Sequence, residues 1–318
     1  MNRRQFLGSA ALAGLALSTG LSPSLAAPPK EFNVGFQKNG VLVVARNQKL
    51  IEKALEPQGI KVNWLEFQAG PPLLEAMNTG AIDFGTTGDT PAIFAQAARA
   101  DILYVAALPS RGRNSAILVP GKSEIRTLAD LKGKRLAFTR GTSAHNVAVV
   151  GLQKAGLTLD DVQPVFLSPA DAGAAFATGS VDAWSIWDPF FAGAEVNQSA
   201  RVLADGQEIL GSTSSFFLAN ASFTKAHPDI VQAGIDALGE AGRWAEANRE
   251  GVAQALSAAT GVPVAIQQLT ADRGEFKVTP LTPEIIAKQQ EVADRFASLK
   301  LIPAPIDVAS RVWRGPQS

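Results

Sequence analysis

The sequence predicts an α/β protein of two similar lobes, each a mostly parallel sheet flanked by helices, joined by a two-strand hinge. Three observations carry this prediction. The stretch TGAIDFGTTGD at 79–89 returns as TGSVDAWSIWD at 178–188, so that Gly80, Asp83 and Asp89 reappear as Gly179, Asp182 and Asp188 at a constant offset of 99. Short apolar runs alternate with amphipathic helical runs around both copies, the pattern of a sheet with helices on both faces. The roughly 292 residues that follow the first 26 of 318 are long for one core and comfortable for two.

Each element follows from its own pattern. FNVGF (32–36) reads as a strand, 41–55 as a helix and KVNWLEF (61–67) as a second strand. Pro71-Pro72 opens a helix with Leu73, Leu74 and Met77 on one face, which stops at Thr79-Gly80 before the strand AIDFG. The second half restarts the series. A short helix at 127–131 closes at Gly133, KRLAFT (134–139) is a strand, and GTSAHNVAVVGLQKAG (141–156) is a helix with a polar start and a glycine stop. PVFL (164–167), ADAGAAFATG (170–179) and VDAWSI (181–186) then match the first copy in order, so the repeat is a whole lobe. After Phe216-Phe217-Leu218-Ala219 the chain turns helical and alanine-rich, with RWAEAN (243–248) inside one long helix and 288–299 forming another. These helices are expected to return to the first lobe. Lobe I then comprises 27–118 and 218–318 and lobe II 119–217, with crossovers near 117–120 and 215–219, the architecture of a mobile hinge.

The N-terminus carries Arg3-Arg4, an apolar run from Ala10 to Leu17 and a small-x-small site at Ser24-Leu25-Ala26. This is the pattern of a cleavable twin-arginine export signal over 1–26, and the run is too short to span a bilayer. Its removal takes two arginines and no acid from a balance of 29 basic and 29 acidic residues, leaving about −2, which points to neither nucleic acid nor an acidic membrane surface as partner. With no cysteine, thiolate catalysis and thiolate metal sites are excluded. The chain has two histidines and none of the G-x-S-x-G, H-E-x-x-H or Walker patterns, so a binding role is favoured over an enzymatic one, and no cofactor or metal is called for.

In open parallel sheets the ligand end is the carboxyl end of the strands. Two similar lobes therefore face each other through Gln37-Lys38-Asn39, Thr86-Thr87-Gly88-Asp89, Gly141 to His145 and Trp187-Asp188, and a small ligand can be gripped between them. Gly141-Thr142-Ser143, between a strand and a helix, offers free N–H groups, hydroxyls and a positive helix end, which suits an oxyanion or, equally, an ordinary N-cap. Gly85 to Asp89 offers the same from the other jaw. Trp187 stands where the first copy has Gly88 and reads as a wall for an apolar group, with Phe216 as a possible second wall; both types also serve as core. Asp83 and Asp182, placed inside strands, read as structural acceptors, and Asp89 and Asp188 as helix or loop holders because a carboxylate repels an anion. Arg111, with Lys38, Arg113 and Arg140, lies near the mouths and is the candidate cation for ligand contact. His145 is placed to orient its loop.

These segments resemble a known family. FQK (36–38), EFQAGPPLLEAMNTGAIDFGTTGDTPAIFAQA (66–97), DLKGKRLAFTRGTSAHN (130–146), SVDAWSIWDPFFA (180–192), SSFFLA (214–219) and RVW (311–313) are similar to aliphatic sulfonate-binding proteins of ABC importers. The resemblance spans about 31–314 and extends to the periplasmic solute-binding group that handles taurine, nitrate and sulfonates. It implies a two-lobed, type II-like periplasmic binding protein that captures an alkanesulfonate for an inner-membrane ABC permease; a monomer is expected, since a free-diffusing receptor gains little from association. By position it implies a cleft lined by Gln37, Thr87, Gly88, Asp89, Gly141, Thr142, Ser143, His145, Trp187, Asp188 and Phe216. Asn39-Gly40, Thr142 and Ala144 depart from the group's pattern and bear on ligand size. Alternative readings are a receptor for taurine, nitrate or another small oxyanion, or an enzyme of the thiamine-pyrimidine type on the same fold.

Overall fold

The structure, a computed structural model, describes residues 29–316; the export segment expected over 1–26 lies outside the described residues. The chain builds β1 (Glu31–Phe36), α1 (Val41–Asn47), α2 (Leu50–Leu55), β2 (Lys61–Glu66), α3 (Gly70–Asn78), β3 (Phe84–Thr87), α4 (Asp89–Ala97) and β4 (Ile102–Ser110). It then forms β5 (Ser115–Pro120), β6 (Arg135–Phe138), α5 (Ser143–Lys154), β7 (Gln163–Phe166), α6 (Pro169–Ala177), β8 (Ala183–Trp187), α7 (Phe190–Gln198), β9 (Ala200–Asp205) and α8 (Gly206–Leu210). It finishes with β10 (Thr213–Asn220), α9 (Ala221–Ala226), α10 (Pro228–Ala247), α11 (Arg249–Thr260), α12 (Val264–Arg273) and α13 (Pro283–Ser298). Most predicted elements appear within a few residues. The expected helix over 41–55 is broken in two, because Lys49 adopts φ 54° between α1 and α2.

Two five-stranded sheets result, in the orders β2-β1-β3-β10-β4 and β7-β6-β8-β5-β9. In each, the first three strands run parallel and the fourth runs antiparallel to its neighbours. That fourth strand has crossed from the other lobe: β5 enters the second sheet and β10 re-enters the first. The crossings lie at 111–114 and 211–212, not at 117–120 and 215–219. Ser115–Pro120 pairs wholly in the second sheet, and Phe216 and Phe217 pair with β3 and β4 of the first. The apolar runs ILVP and FFLA, expected as the crossings, lie inside the sheets, where all their side chains but Pro120 are buried. The polar segments just before them make the turns.

Each sheet is buried on both faces. In the first, Phe32, Val34 and Phe84 pack under α1, α2 and α10, while Leu73, Met77, Ile82 and Ile102 fill the opposite face. The repeat is legible at one joint in particular. The Asp83 carboxylate accepts Asn33 N–H at 2.7 Å, and that of Asp182 accepts Arg135 N–H at 2.8 Å plus two guanidinium bonds. Both acids stand just before β3 and β8, not inside them as expected. Each ties the strand to its central parallel neighbour, after a glycine (Gly80 or Gly179) at φ near +70° that only glycine adopts readily.

Candidate functional site between the lobes

The ends of β3 and β6 run into α4 and α5, and these two loops meet across the lobes. Gly88, at φ −69° the N-cap of α4, sits so close to the first residue of α5 that a methyl added to it would lie 1.9 Å from Ser143 Oγ. Among the described residues, the backbone N–H groups of Gly88, Asp89, Ser143 and Ala144 donate to no protein acceptor. They are the orphan donors that any helix start exposes, and here two helix starts expose them toward one point. A cavity of about 90 Å³ occupies that point, closed by Gln37, Thr86 and Thr87 from lobe I, by Thr142 and Trp187 from lobe II, by Asn114 in the first crossing, and by the hydroxyls of Ser110, Ser115 and Thr213 to Ser215 at the strand ends that flank the crossings. Its lining holds no Lys, Arg, Asp, Glu or His. The polar groups a small ligand meets here are all neutral, and Pro91, Val147 and Leu210 complete the wall.

Past Gln37, Asn39 and Trp187 the space opens into a second cavity of about 580 Å³. Its walls are Trp184, Trp187, Pro189, Phe190, Ile266, Phe67 and the alanine face of α6, with the Lys38–Glu66 pair (3.6 Å) at the rim. Trp187 stands edge-on to Phe190 at 6.3 Å between ring centroids. Trp184 is buried, and α6 approaches its indole closely because residue 173 is glycine, whose added methyl would lie 3.2 Å from the ring.

Of the expected site residues, Gln37, Thr87, Gly88, Thr142, Ser143 and Trp187 line the polar cavity and the other six do not. Arg111 is turned to Glu275 at 2.9 Å on the surface. Phe216 packs edge-on against Tyr104 at 5.1 Å in the lobe I core, because β10 belongs to that sheet. Asp89 accepts from Thr90 N–H at 2.7 Å and from the Asn146 side chain at 2.8 Å, and Asp188 accepts from Ala192 N–H at 2.9 Å, so both act as loop holders. Burial pushes the Asp188 carboxyl up to about 7. Gly141, at φ 73°, backs onto Phe94. His145 is buried against Phe138 of its own lobe and against Phe94 and Phe296 of the other. Its Nδ1 accepts Gly141 N–H at 3.3 Å, tying the helix start to the loop before it, and burial holds its pKa down at about 4.

The hinge hydroxyls and Asn114 escaped the sequence reading. The signal was present in RNS (113–115) and STSS (212–215), polar runs that become visible as cavity floor once they are recognised as the crossings.

Comparison with known proteins agrees with this geometry. The family described as NMT1/THI5 like matches residues 55–251. An aliphatic sulfonates-binding protein of Escherichia coli (strain K12) is 40% identical over 309 residues, 96% of each chain. Among solved structures, the alkanesulfonate-binding protein SsuA from Xanthomonas axonopodis pv. citri, bound to MOPS, matches at TM-score 0.85 and 44% identity, over 91% of this chain and 99% of that one. The periplasmic aliphatic sulphonate binding protein SsuA from Escherichia coli matches at 0.81 and 39%, over 92% and 94%. The desulfurization enzyme DszB shares the fold alone, at TM-score 0.66 and 18% identity. With two five-stranded sheets in one topology, a cleft between them and relatives of this identity along nearly its whole length, the chain belongs to the NMT1/THI5-like family and has the periplasmic binding protein fold of the sulfonate-binding SsuA structures.

Proposed function

We propose that this protein is a periplasmic receptor that captures aliphatic sulfonates between its lobes and delivers them to an ABC permease, and that it is not an enzyme. The carrying observation is the pairing of a charge-free donor pocket shared by both lobes with an apolar cavity directly beyond it. A sulfonate is a permanent monoanion with three acceptor oxygens and no proton to give, so it suits N–H and O–H donors and needs no carboxylate acceptor. Its hydrocarbon tail then lies against Trp187, Trp184 and Phe190. Nitrate or sulfate would fill the small pocket and leave the larger one unused. Contacts from both lobes are what would let a ligand shift the lobes from open to closed. Against turnover, Ser143 has no base: His145 lies two residues on, but its Nδ1 takes Gly141 N–H and its Nε2 points among phenylalanines without a partner.

Titration calorimetry with ethanesulfonate, octanesulfonate, taurine, sulfate and nitrate tests the reading. Heat from the sulfonates, and chemically unaltered ligand recovered afterwards, is the expected result. A folded protein that binds none of the sulfonates would end it.

A further inference from the structure

Two hydrogen-bonded groups cross the cleft, centred on Asn146 and Arg273, neither of which lines either cavity, and the aspartates they engage are related by the same offset as the repeat. Asn146, in the first turn of α5, is buried with both ends of its side-chain amide held by lobe I. Its Nδ2 donates to Asp89 Oδ2 at 2.8 Å, and its Oδ1 accepts from Arg295 Nη1 of α13 at 2.9 Å. On the other side of the cleft Arg273, at the end of α12 in lobe I, reaches into lobe II. It donates to Asp188 Oδ1 at 3.3 Å and to Glu195, and its guanidinium lies 3.9 Å over the Phe191 ring. Asn39 of lobe I adds a bond to the Asp188 carbonyl at 2.7 Å. Asp89 and Asp188 are the repeated aspartates, so each lobe presents its copy to the other lobe.

Resting on the reading of the cleft as an anion site, we propose that Asn146 and Arg273 are positioning residues for the bound anion. They hold the lobes shut on it without touching it, each engaging one of the two aspartates that the repeat duplicated. An amide gripped at both ends has one orientation, and that orientation fixes the first turn of α5. Ser143 on the same turn is thereby set against Gly88. Because neither latch meets the ligand, both act on how long the closed form lasts, not on encounter or on tail preference.

The decisive comparison uses Asn146→Asp alone, Asn146→Asp combined with Asp89→Asn, and Arg273→Gln. The single Asn146→Asp change sets two carboxylates together, while the combined change restores an amide–carboxylate pair of reversed polarity with Arg295 still in reach. Loss of a buried hydrogen bond to a charged group predicts off-rates for ethanesulfonate and octanesulfonate raised about 10- to 100-fold, and equally for both, in Asn146→Asp. Arg273→Gln, likewise, raises both off-rates by the same factor as each other. On-rates stay within about threefold, as is usual when an interaction forms after encounter. The double variant recovers most of the loss, which a merely structural defect would not. In parallel, paired spin labels on cysteines introduced at the exposed Lys53 and Lys122 read the interlobe distance with and without ligand, and the single variants move it toward wider values. Wild-type off-rates or wild-type distance distributions in both single variants would overturn the latch. A wild type that binds no sulfonate would instead overturn the ligand class, and the ligand-free distances would still decide the latch.

Discussion

Replacing Gly88 with alanine isolates the contact on which the polar cavity depends. Residue 88 has φ −69° and ψ −169°, extended backbone open to any residue, so alanine imposes no local strain. Restricting the unfolded chain should even add about 0.4–1 kcal/mol of stability. The obstacle lies entirely across the cleft, where the new methyl would meet Ser143 Oγ at 1.9 Å and its Cβ at 3.1 Å. The Oγ clash is relieved only if the hydroxyl leaves its rotamer or the lobes part, and either way the bond proposed between it and the anion is lost. A hydrogen bond to a charged group is worth about 1.5–3 kcal/mol, so the sulfonate dissociation constant should rise about 10- to 100-fold. Calorimetry reads that rise, while the thermal midpoint of the ligand-free protein should not fall. Ser143→Ala removes the atom at 1.9 Å and, by itself, should weaken binding by roughly 0.5–3 kcal/mol. Adding Gly88→Ala to it should then cost much less than in the wild type. Wild-type affinity for Gly88→Ala, or strictly additive effects of the two changes, would refute the claim that these loops close on one headgroup.

Trp187→Ala should weaken binding in proportion to tail length, little for ethanesulfonate and most for octanesulfonate; equal losses would remove the indole from the tail wall. His145 is held neutral by burial, with a pKa of about 4 against an ordinary 6.5, so the folded state takes up its proton later than the unfolded one as pH falls. Its contribution is present above pH 6.5 and lost down to pH 4, about 3 kcal/mol in all. His145→Gln should therefore lose less stability than the wild type between pH 7 and pH 4.5 in urea melts, and parallel losses would count against it. Asp188, whose raised carboxyl favours the folded state on acidification, titrates in both proteins and cancels in the difference. Arg111→Ala should leave sulfonate affinity unchanged, since its guanidinium is turned outward to Glu275 and is no part of the cavity lining.

Much of the architecture was legible because it rests on local rules. Strand and helix periods, the glycine stops at Gly80 and Gly179 and the offset of 99 between the copies all lie within short windows of chain. So does the placement of Gly88, Thr142 and Ser143 at helix starts, where backbone donors are left over whatever the tertiary fold. What residue types alone could not decide is which surface each side chain finally meets. Phe216 and Trp187 looked alike as walls, yet one became core and the other cavity, because β10 is inserted between β3 and β4 and β8 ends at the mouth. Arg111 reads as the mouth cation and Arg273 carries no such signal in the sequence; only the packing of α12 against α7 brings Arg273 to Asp188. Local sequence determines backbone conformation and leftover donors through short-range sterics and hydrogen bonding. The partners of long side chains depend on lobe closure, which joins residues 57 to 149 positions apart, a span that no short window of sequence contains.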